Sequence, residues 1–200
     1  MSSNNFSRAL LLVACALSSI GLAGVSLSKQ EGDRFQLKID EIAKNGSTVP
    51  VKPKRTALTE NELNSYLTFN VQDKIPHGLT HPQLTMIGEG RVGGRVFVDF
   101  DEFNRRRRKR NVIDPLNYLT GRVPVTARGI LQTGDGKGQF QLQSAEVSGI
   151  PLPKPLVQEL VTFFSRSAEN PKGFDLDAPF NLPAKIRELV INKGAVVVIQ

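Results

Sequence analysis

The side chains best suited to chemistry in this sequence are its two histidines, which stand four positions apart. His77 and His81 lie in Pro76-His77-Gly78-Leu79-Thr80-His81-Pro82. On a helix this spacing would direct both imidazoles at one metal ion, but two prolines and a glycine disfavour a helix, and no third ligand is evident in the sequence. We therefore expect a loop here. A Ser-His-Asp triad would need partners from distant segments, so the sequence does not predict one.

Two more patterns match binding motifs only as strings of letters. Gly88-Glu89-Gly90-Arg91-Val92-Gly93 has the G-x-G-x-x-G spacing of dinucleotide sites. Such sites need a helix directly after the glycines, whereas the strand-like Val96-Phe97-Val98 follows here, and this predicts a hairpin turn. Asp99, Asp101 and Glu102 lack the glycine and the distal glutamate of a calcium loop. We expect them on the solvent face of a strand.

The excess positive charge of the chain is concentrated in one basic run. Lysine and arginine number 26 against 19 aspartate and glutamate, which gives a net charge of +7 at pH 7. Six consecutive bases account for six of these seven charges: Arg105, Arg106, Arg107, Arg108, Lys109 and Arg110. The run has no interleaved aromatic residues for base stacking, which argues against nucleic acid as a partner. It is a candidate contact for an anionic membrane surface, where each base contributes about 1 kcal/mol, and the alternative is a solvated loop.

The N-terminus has the layout of an export signal. Residues 9–28 form an uncharged, largely apolar stretch after Arg8, with small residues toward its end. A cleaved signal peptide is the favoured interpretation, and a retained membrane anchor is the alternative. In a third interpretation Cys15 carries a lipid, since Leu12-Val13-Ala14-Cys15 is similar to a lipobox. Cleavage beyond this single cysteine would leave no thiol for a disulfide or a nucleophile.

The composition bounds the fold class. The 200 residues are 40% hydrophobic and 22% charged, enough for one domain with a core once a targeting segment is removed. Aromatic residues make up only 6%, while 17 glycines and 12 prolines are spread along the chain. This balance favours short strands and turns over a helical bundle.

Two segments have clear helical patterns. Thr59 and Glu62 form a capping box, and Leu58 with Leu63 has the spacing of a hydrophobic staple, so a helix begins at this point and ends before Pro76. A second helix, apolar on a broad face, is predicted from six residues at helical spacing: Leu156, Val157, Leu160, Val161, Phe163 and Phe164. Residues 29–46 fit a helix or a strand equally well, and residues 49–55 favour an extended connector.

The remaining periodicity is that of antiparallel hairpins. Strand-like residues 84–87 and 95–100 flank the glycine-rich turn, and residues 123–132 and 139–147 form a second pair. Residues 185–191 and 195–199 form a closing hairpin around Asn192-Lys193-Gly194. A short helix is expected at residues 114–119, after the basic run, and a loop at residues 165–183.

Three motifs together resemble those of small bacterial envelope proteins with a tubular lipid-binding (TULIP-like) fold. They are the E-L-N segment around Glu62-Leu63-Asn64, the turn Ser148-Gly149-Ile150-Pro151-Leu152-Pro153 before an apolar helix, and Leu182-Pro183-Ala184-Lys185-Ile186 before the last hairpin. The resemblance covers roughly residues 56–200. The basic insertion with its short helix is a departure from that pattern.

The resemblance implies an α+β fold in which a strongly curved antiparallel β-sheet wraps around a long α-helix, preceded by the N-terminal signal or anchor. We expect residues 1–28 to be the signal peptide or anchor, residues 29–57 a polar segment and Pro-rich linker, and residues 58–200 a single domain. The candidate lipid-groove residues are Leu156, Leu160, Phe163 and Phe164.

The expected function is that of an exported, non-enzymatic lipid-binding or lipid-handling protein of the periplasm or cell envelope, with no metal or redox cofactor. Its expected partners are a lipid and an anionic membrane surface. The alternative is a structural or interaction protein with the same fold and a filled core, because the same apolar side chains would equally suit a dry interior.

Overall fold

Four α-helices and nine β-strands make up the described part of the chain, which in this computed structural model comprises residues 26–107, 115–168 and 170–200. The helices are α1 (Lys29–Gly46), α2 (Glu60–Phe69), α3 (Phe100–Arg106) and α4 (Lys154–Ser165). The strands are β1 (Arg55–Thr59), β2 (Leu79–Gly88), β3 (Arg91–Asp99), β4 (Arg122–Gly134), β5 (Lys137–Val147), β6 (Ile150–Pro151), β7 (Phe180–Asn181), β8 (Glu188–Asn192) and β9 (Ala195–Ile199). Short 3-10 turns occupy Gln72–Lys74 and Pro115–Tyr118.

The strands form two open antiparallel sheets. One has three strands in the order β1-β9-β8, and the other runs β2-β3-β4-β5-β6, with β7 pairing a different part of β5. The fold class is therefore α+β, as predicted, but neither sheet closes on itself. A long helix inside a wrapped sheet is not confirmed: α4 has 12 residues, and the longest described helix is the 18-residue α1. Most of the predicted N-terminal signal or anchor lies outside the described residues.

The predicted hairpins are confirmed, including the one built on the glycine-rich string. β2 and β3 are joined through Glu89 and Gly90, both of which have positive φ. The turn between β4 and β5 likewise places Asp135 and Gly136 at positive φ. Asp-Gly and related pairs favour this geometry because its twist matches that of the flanking strands. The G-x-G-x-x-G string is thus a hairpin and opens no helix.

The strand predicted to continue through residues 99–102 ends earlier than expected. Asp99 is the N-cap of α3, and its Oδ1 accepts a hydrogen bond from the Glu102 N–H at 2.9 Å. Asp101 and Glu102 therefore lie in the first turn of a helix, where carboxylates favourably face the helix dipole. The expectation that these acids form the solvent face of a strand is wrong for Asp101 and Glu102, because Asp99, the last residue of β3, caps a helix that ends the alternation.

The capping box of α2 is confirmed. The Glu62 N–H donates to Thr59 Oγ1 at 3.1 Å, and the Thr59 N–H donates to Glu62 Oε2 at 2.9 Å. Two further polar side chains of α2 bind the outer edge of β2: Glu60 Oε2 accepts from the Met86 N–H at 2.6 Å, and Asn64 pairs with both backbone groups of Leu84. The E-L-N segment therefore joins a helix to a sheet edge.

Residues 29–46, whose type the sequence left open, form the helix α1. Its apolar residues Phe35, Ile39 and Ile42 are buried, and the Phe35 ring lies 5.0 Å from that of Tyr66 on α2. The boundary predicted at residue 58 falls inside β1, which pairs with β9 along its whole length. Residues 29–57 thus contribute a helix and most of a strand to the same packed unit as the rest.

The buried apolar side chains fall into two clusters. The first lies among α1, α2, the three-stranded sheet and the part of the six-stranded sheet that includes Leu84, Val92 and Leu131. The second lies between the six-stranded sheet, α3 and α4, and contains Val96, Phe103, Val147 and Leu160, among others. The partly buried Phe140 packs against both clusters.

The chain segments nearest the two ends of the described region are in contact. Gln200 Nε2 donates to the carbonyl of Ile42 at 2.9 Å, across 158 positions of sequence. Gly46, the last residue of α1, lies so close to Ala184 that a Cβ at position 46 would come within 2.1 Å of the Ala184 carbonyl oxygen. Closure of the first cluster thus depends on residues from both ends.

Candidate functional site

Helix α4 carries the predicted groove residues, and its start is set by the local sequence. The two-residue turn at Ser148 and Gly149, both at positive φ, leads into β6. Pro153 then occupies the N-cap position, and Pro155 lies in the first turn, where its missing N–H costs nothing. The helix confirms the apolar spacing read from the sequence.

The apolar side chains of α4 divide by burial. Val157, Leu160 and Val161 are buried in the second cluster. The other predicted groove residues, Leu156, Phe163 and Phe164, are only half-buried and pack at the margin of that cluster. The candidate groove is therefore a partly accessible margin, and Leu160 belongs to the interior behind it.

Helix α3 packs its aromatic face onto the C-terminal half of α4. The Phe103 ring contacts the Phe163 ring edge-to-face at 4.8 Å and stacks on the Phe164 ring at 5.9 Å. Phe163 and Phe164 are themselves edge-to-face at 5.0 Å. Phe100 extends the cluster on the α3 side, with its ring 6.0 Å from that of Phe103. Four phenylalanines thus form one continuous aromatic cluster across the two helices, with Phe100 and Phe103 fully buried.

The first three residues of the basic run lie beside these aromatic rings. Arg105 and Arg106 occupy the last turn of α3, and Arg107 follows directly. The Arg106 guanidinium carbon is 5.9 Å from the centre of the Phe163 ring, and that of Arg107 is 5.1 Å from the centre of the Phe103 ring. Such distances permit cation–π attraction. The remaining members, Arg108, Lys109 and Arg110, lie outside the described residues.

Arg107 links the basic run to α4 directly. Its Nη2 donates to Glu159 Oε1 at 2.5 Å, and its side chain is only 6% exposed while that of Glu159 is 39% exposed. Arg106 is more open and pairs with Glu102 at 3.3 Å. Arg105 is exposed. Part of the run therefore acts in packing, and part faces outward.

Several half-buried apolar side chains of the second cluster were not predicted from the sequence. They come from separate segments and pack against the second cluster: Leu79, Leu119, Val123, Phe140, Leu142 and Phe174. Asn104 holds α3 to the neighbouring 3-10 turn, since its Nδ2 donates to the carbonyls of Leu116 at 2.9 Å and Leu119 at 3.1 Å. No local pattern brings these residues together, so only the fold reveals the set.

The chemistry available at the site is apolar burial combined with cation contacts. His77 lies in the loop expected for it, whereas His81 lies within β2, at positive φ and beside an irregularity in the pairing of β2 with β3. Over the described ranges, no three or more histidine, cysteine, aspartate or glutamate side chains are grouped to hold a metal ion. Phenylalanine, leucine and arginine side chains offer hydrocarbon contact and charge pairing, which suit an amphipathic anion.

Among the described residues, no helix combines the length and the apolar character needed to cross a bilayer.

Comparisons with protein-family models, with curated proteins and with solved structures found no match.

Proposed function

We propose that this chain is an exported, non-enzymatic lipid-binding protein of the bacterial cell envelope, and that the margin of the second cluster at α4 holds acyl chains. The observation that supports this most is the half-buried Phe163 on α4, whose ring contacts that of Phe164 and lies 5.9 Å from the Arg106 guanidinium carbon at the end of α3. An acyl chain with an anionic headgroup has the matching pair of properties.

The energetics of such a site follow from its two kinds of contact. Each methylene of an acyl chain that leaves water for an apolar environment contributes about 0.8 kcal/mol. An arginine close to anionic headgroups adds about 1 kcal/mol. The Phe163 and Phe164 rings are in edge-to-face contact on α4, and the Arg106 guanidinium carbon lies 5.9 Å from the centre of the Phe163 ring. A lipid lying along α4 would therefore gain both apolar burial of its acyl chain and attraction of its headgroup to arginine.

The proposed location in the periplasm or cell envelope derives from residues 9–28. Their uncharged stretch after Arg8 has the order of a secretory signal, and the same residues would serve as an inner-membrane anchor if retained. No metal or redox cofactor enters the proposal.

A structural or interaction protein with a filled core is the alternative function. The direct contacts among Phe103, Phe163 and Phe164 favour it, because these rings already pack against one another without a ligand. The two functions differ in one measurable respect, which is whether lipid accompanies the protein.

Lipid content is therefore the test of the proposal. Purified protein examined by native mass spectrometry is expected to carry lipid, and Leu156→Gln is expected to lower the bound fraction several-fold, about the effect of losing 1 kcal/mol or more of apolar burial. Leu37→Gln is the matched control, because Leu37 is 69% exposed on α1, and it should leave the lipid fraction unchanged. Repeated preparations without lipid would favour the filled-core alternative.

A further inference from the structure

Helix α2 runs antiparallel to β2, which fixes the direction in which its C-terminus points. Glu60, in the first turn of α2, contacts Met86 near the end of β2, and Asn64, one turn later, contacts Leu84 further back along the strand. Since one helical turn and two strand residues cover similar lengths, the two elements progress in opposite directions. The C-terminus of α2 is therefore directed toward the end of the sheet where β2 begins.

Helix α1 runs antiparallel to α2, so the N-terminus of α1 points in the same direction as the C-terminus of α2. Lys38 pairs with Glu62 in the first turn of α2, whereas Asp33, earlier on α1, accepts a hydrogen bond from Asn70 just after α2. The backbone N–H of Ser28, the N-cap of α1, lies 3.3 Å from Ser65 Oγ. The chain that precedes α1 thus joins the fold toward the end of the sheet where β2 begins.

The same end of the sheet carries α3. β2 begins beside the end of β3, where the Asp99 N–H donates to the Gly78 carbonyl at 2.7 Å, and α3 follows Asp99 directly. The side chain of Arg122, opposite Asp99 in the strand register, is 66% exposed. We call this region, with Arg105, Arg106 and Arg122, the α3 end of the molecule.

Two large apolar side chains are exposed at the α3 end. Tyr118 is 77% exposed and closes the 3-10 turn that Asn104 ties to α3. Ile150 is 64% exposed and lies opposite Val147 at the last row of β5. A single exposed apolar residue needs no explanation. Here, a tyrosine and an isoleucine accompany arginines at one end of the fold.

We propose that the α3 end lies against an anionic bilayer, with Tyr118 and Ile150 entering the headgroup region. Charge complementarity supports a membrane over other occupants, because the run that begins at Arg105 supplies most of the chain's excess positive charge. Tyrosine is enriched at membrane interfaces, where its ring is apolar and its hydroxyl stays wet. The uncharged residues 9–25 precede α1 in sequence, and α1 begins toward this end. This orientation rests on the proposed function, since it would turn the lipid-binding site toward the bilayer that supplies the lipid.

The absence of tryptophan from the sequence provides a clean test. Tyr118→Trp and Ile150→Trp each place one fluorophore at the α3 end. Val49→Trp is the matched control, because Val49 is 97% exposed and follows the C-terminus of α1, at the opposite end of that helix. Each purified variant is mixed with vesicles of phosphatidylglycerol and phosphatidylcholine that contain brominated acyl chains.

The expected result is a blue shift and strong quenching at positions 118 and 150, and neither at position 49. Quenching should decline in phosphatidylcholine vesicles or in high salt, since the attraction is electrostatic. Equal quenching at all three positions, or none at 118 and 150, would overturn the proposal, and the latter would favour a protein partner for this end. Native mass spectrometry of the same variants separates the two proposals: quenching without bound lipid contradicts only the lipid-binding function, and bound lipid without quenching contradicts only the orientation.

Discussion

Glu62 combines two structural roles in one buried side chain. It closes the capping box of α2, it accepts two hydrogen bonds from Lys38 on α1, and it is 5% exposed. Burial alone would raise the pKa of this carboxyl, but the hydrogen bonds from Lys38 and from the Thr59 backbone outweigh burial and hold the pKa below its ordinary value. The ionised form is therefore the one that the fold stabilises.

This lowered pKa predicts a specific acid sensitivity. A carboxyl whose pKa is lower in the folded than in the unfolded state contributes stability that is present above the unfolded value, and it loses that contribution as the pH falls through the folded value. Glu62→Gln is expected to reduce the free energy of unfolding at neutral pH by about 2 kcal/mol. The variant should also lose less stability than the original chain between about pH 5 and pH 3.

Urea denaturation at several pH values measures both effects. Glu89→Gln is the control, because the side chain of Glu89 is 83% exposed and its ion pair with Arg91 lies on the surface, so neutral-pH stability should change by less than about 0.5 kcal/mol. Parallel pH profiles for the original chain and Glu62→Gln would show that Lys38 and Glu62 do not couple ionisation to folding.

At the scale of elements, the joint between α2 and β2 depends on Asn64. Its Oδ1 accepts from the Leu84 N–H at 2.7 Å, and its Nδ2 donates to the Leu84 carbonyl at 2.8 Å. The side chain thus substitutes for a neighbouring strand at the edge of the six-stranded sheet, an edge that would otherwise leave backbone groups unpaired.

Removing this amide should loosen the helix from the sheet. Asn64→Ala leaves two backbone groups of Leu84 without their partner and is expected to destabilise the fold by about 1–3 kcal/mol. Hydrogen exchange should show faster exchange at the Leu84 amide. Asn181→Ala, at an exposed position of β7, should change neither quantity. Unaltered protection of the Leu84 amide from exchange would mean that water replaces the Asn64 hydrogen bonds without loss of stability.

The elements predicted from the sequence are those determined by residues that are close together in the chain. The capping box around Thr59, the hairpin turns and the apolar face of α4 each follow from residues close together in the chain. Residues 29–46 were ambiguous because Phe35 and Ile39 fit both periodicities, and only packing against Tyr66 selects the helix. The contact between Arg107 and Glu159, 52 residues apart, could not be predicted either, because it depends on tertiary packing and no local pattern indicates it.

At the scale of the whole molecule, Phe140 connects two apolar clusters that otherwise lie on different parts of the fold. It is half-buried on β5, packs against both clusters and has its ring over Gly129 of β4, where a Cβ would come within 2.3 Å of the ring. A glycine beneath an aromatic ring allows this close contact between strands. We expect the two clusters to unfold together because of this shared residue.

Phe140→Ala tests this coupling. The substitution is expected to lower the free energy of unfolding by about 2–3 kcal/mol and to increase hydrogen exchange in both clusters, reported by Val198 in the first and Val96 in the second. Phe69→Ala removes an equal side chain that is 43% exposed, and it should have a smaller effect. A loss of protection confined to one cluster would show that the clusters are independent.

The pairing of β1 with β9, and the contact between Gln200 and α1, have a consequence for biosynthesis. A ribosome releases Phe35, Ile39 and Ile42 first and their partners on β9 last, an interval on the order of ten seconds at ordinary translation rates. During that time the apolar face of α1 cannot be fully buried, because the first cluster is incomplete. For the export proposed above, such a delay would favour translocation, because a channel accepts a polypeptide that has not yet folded.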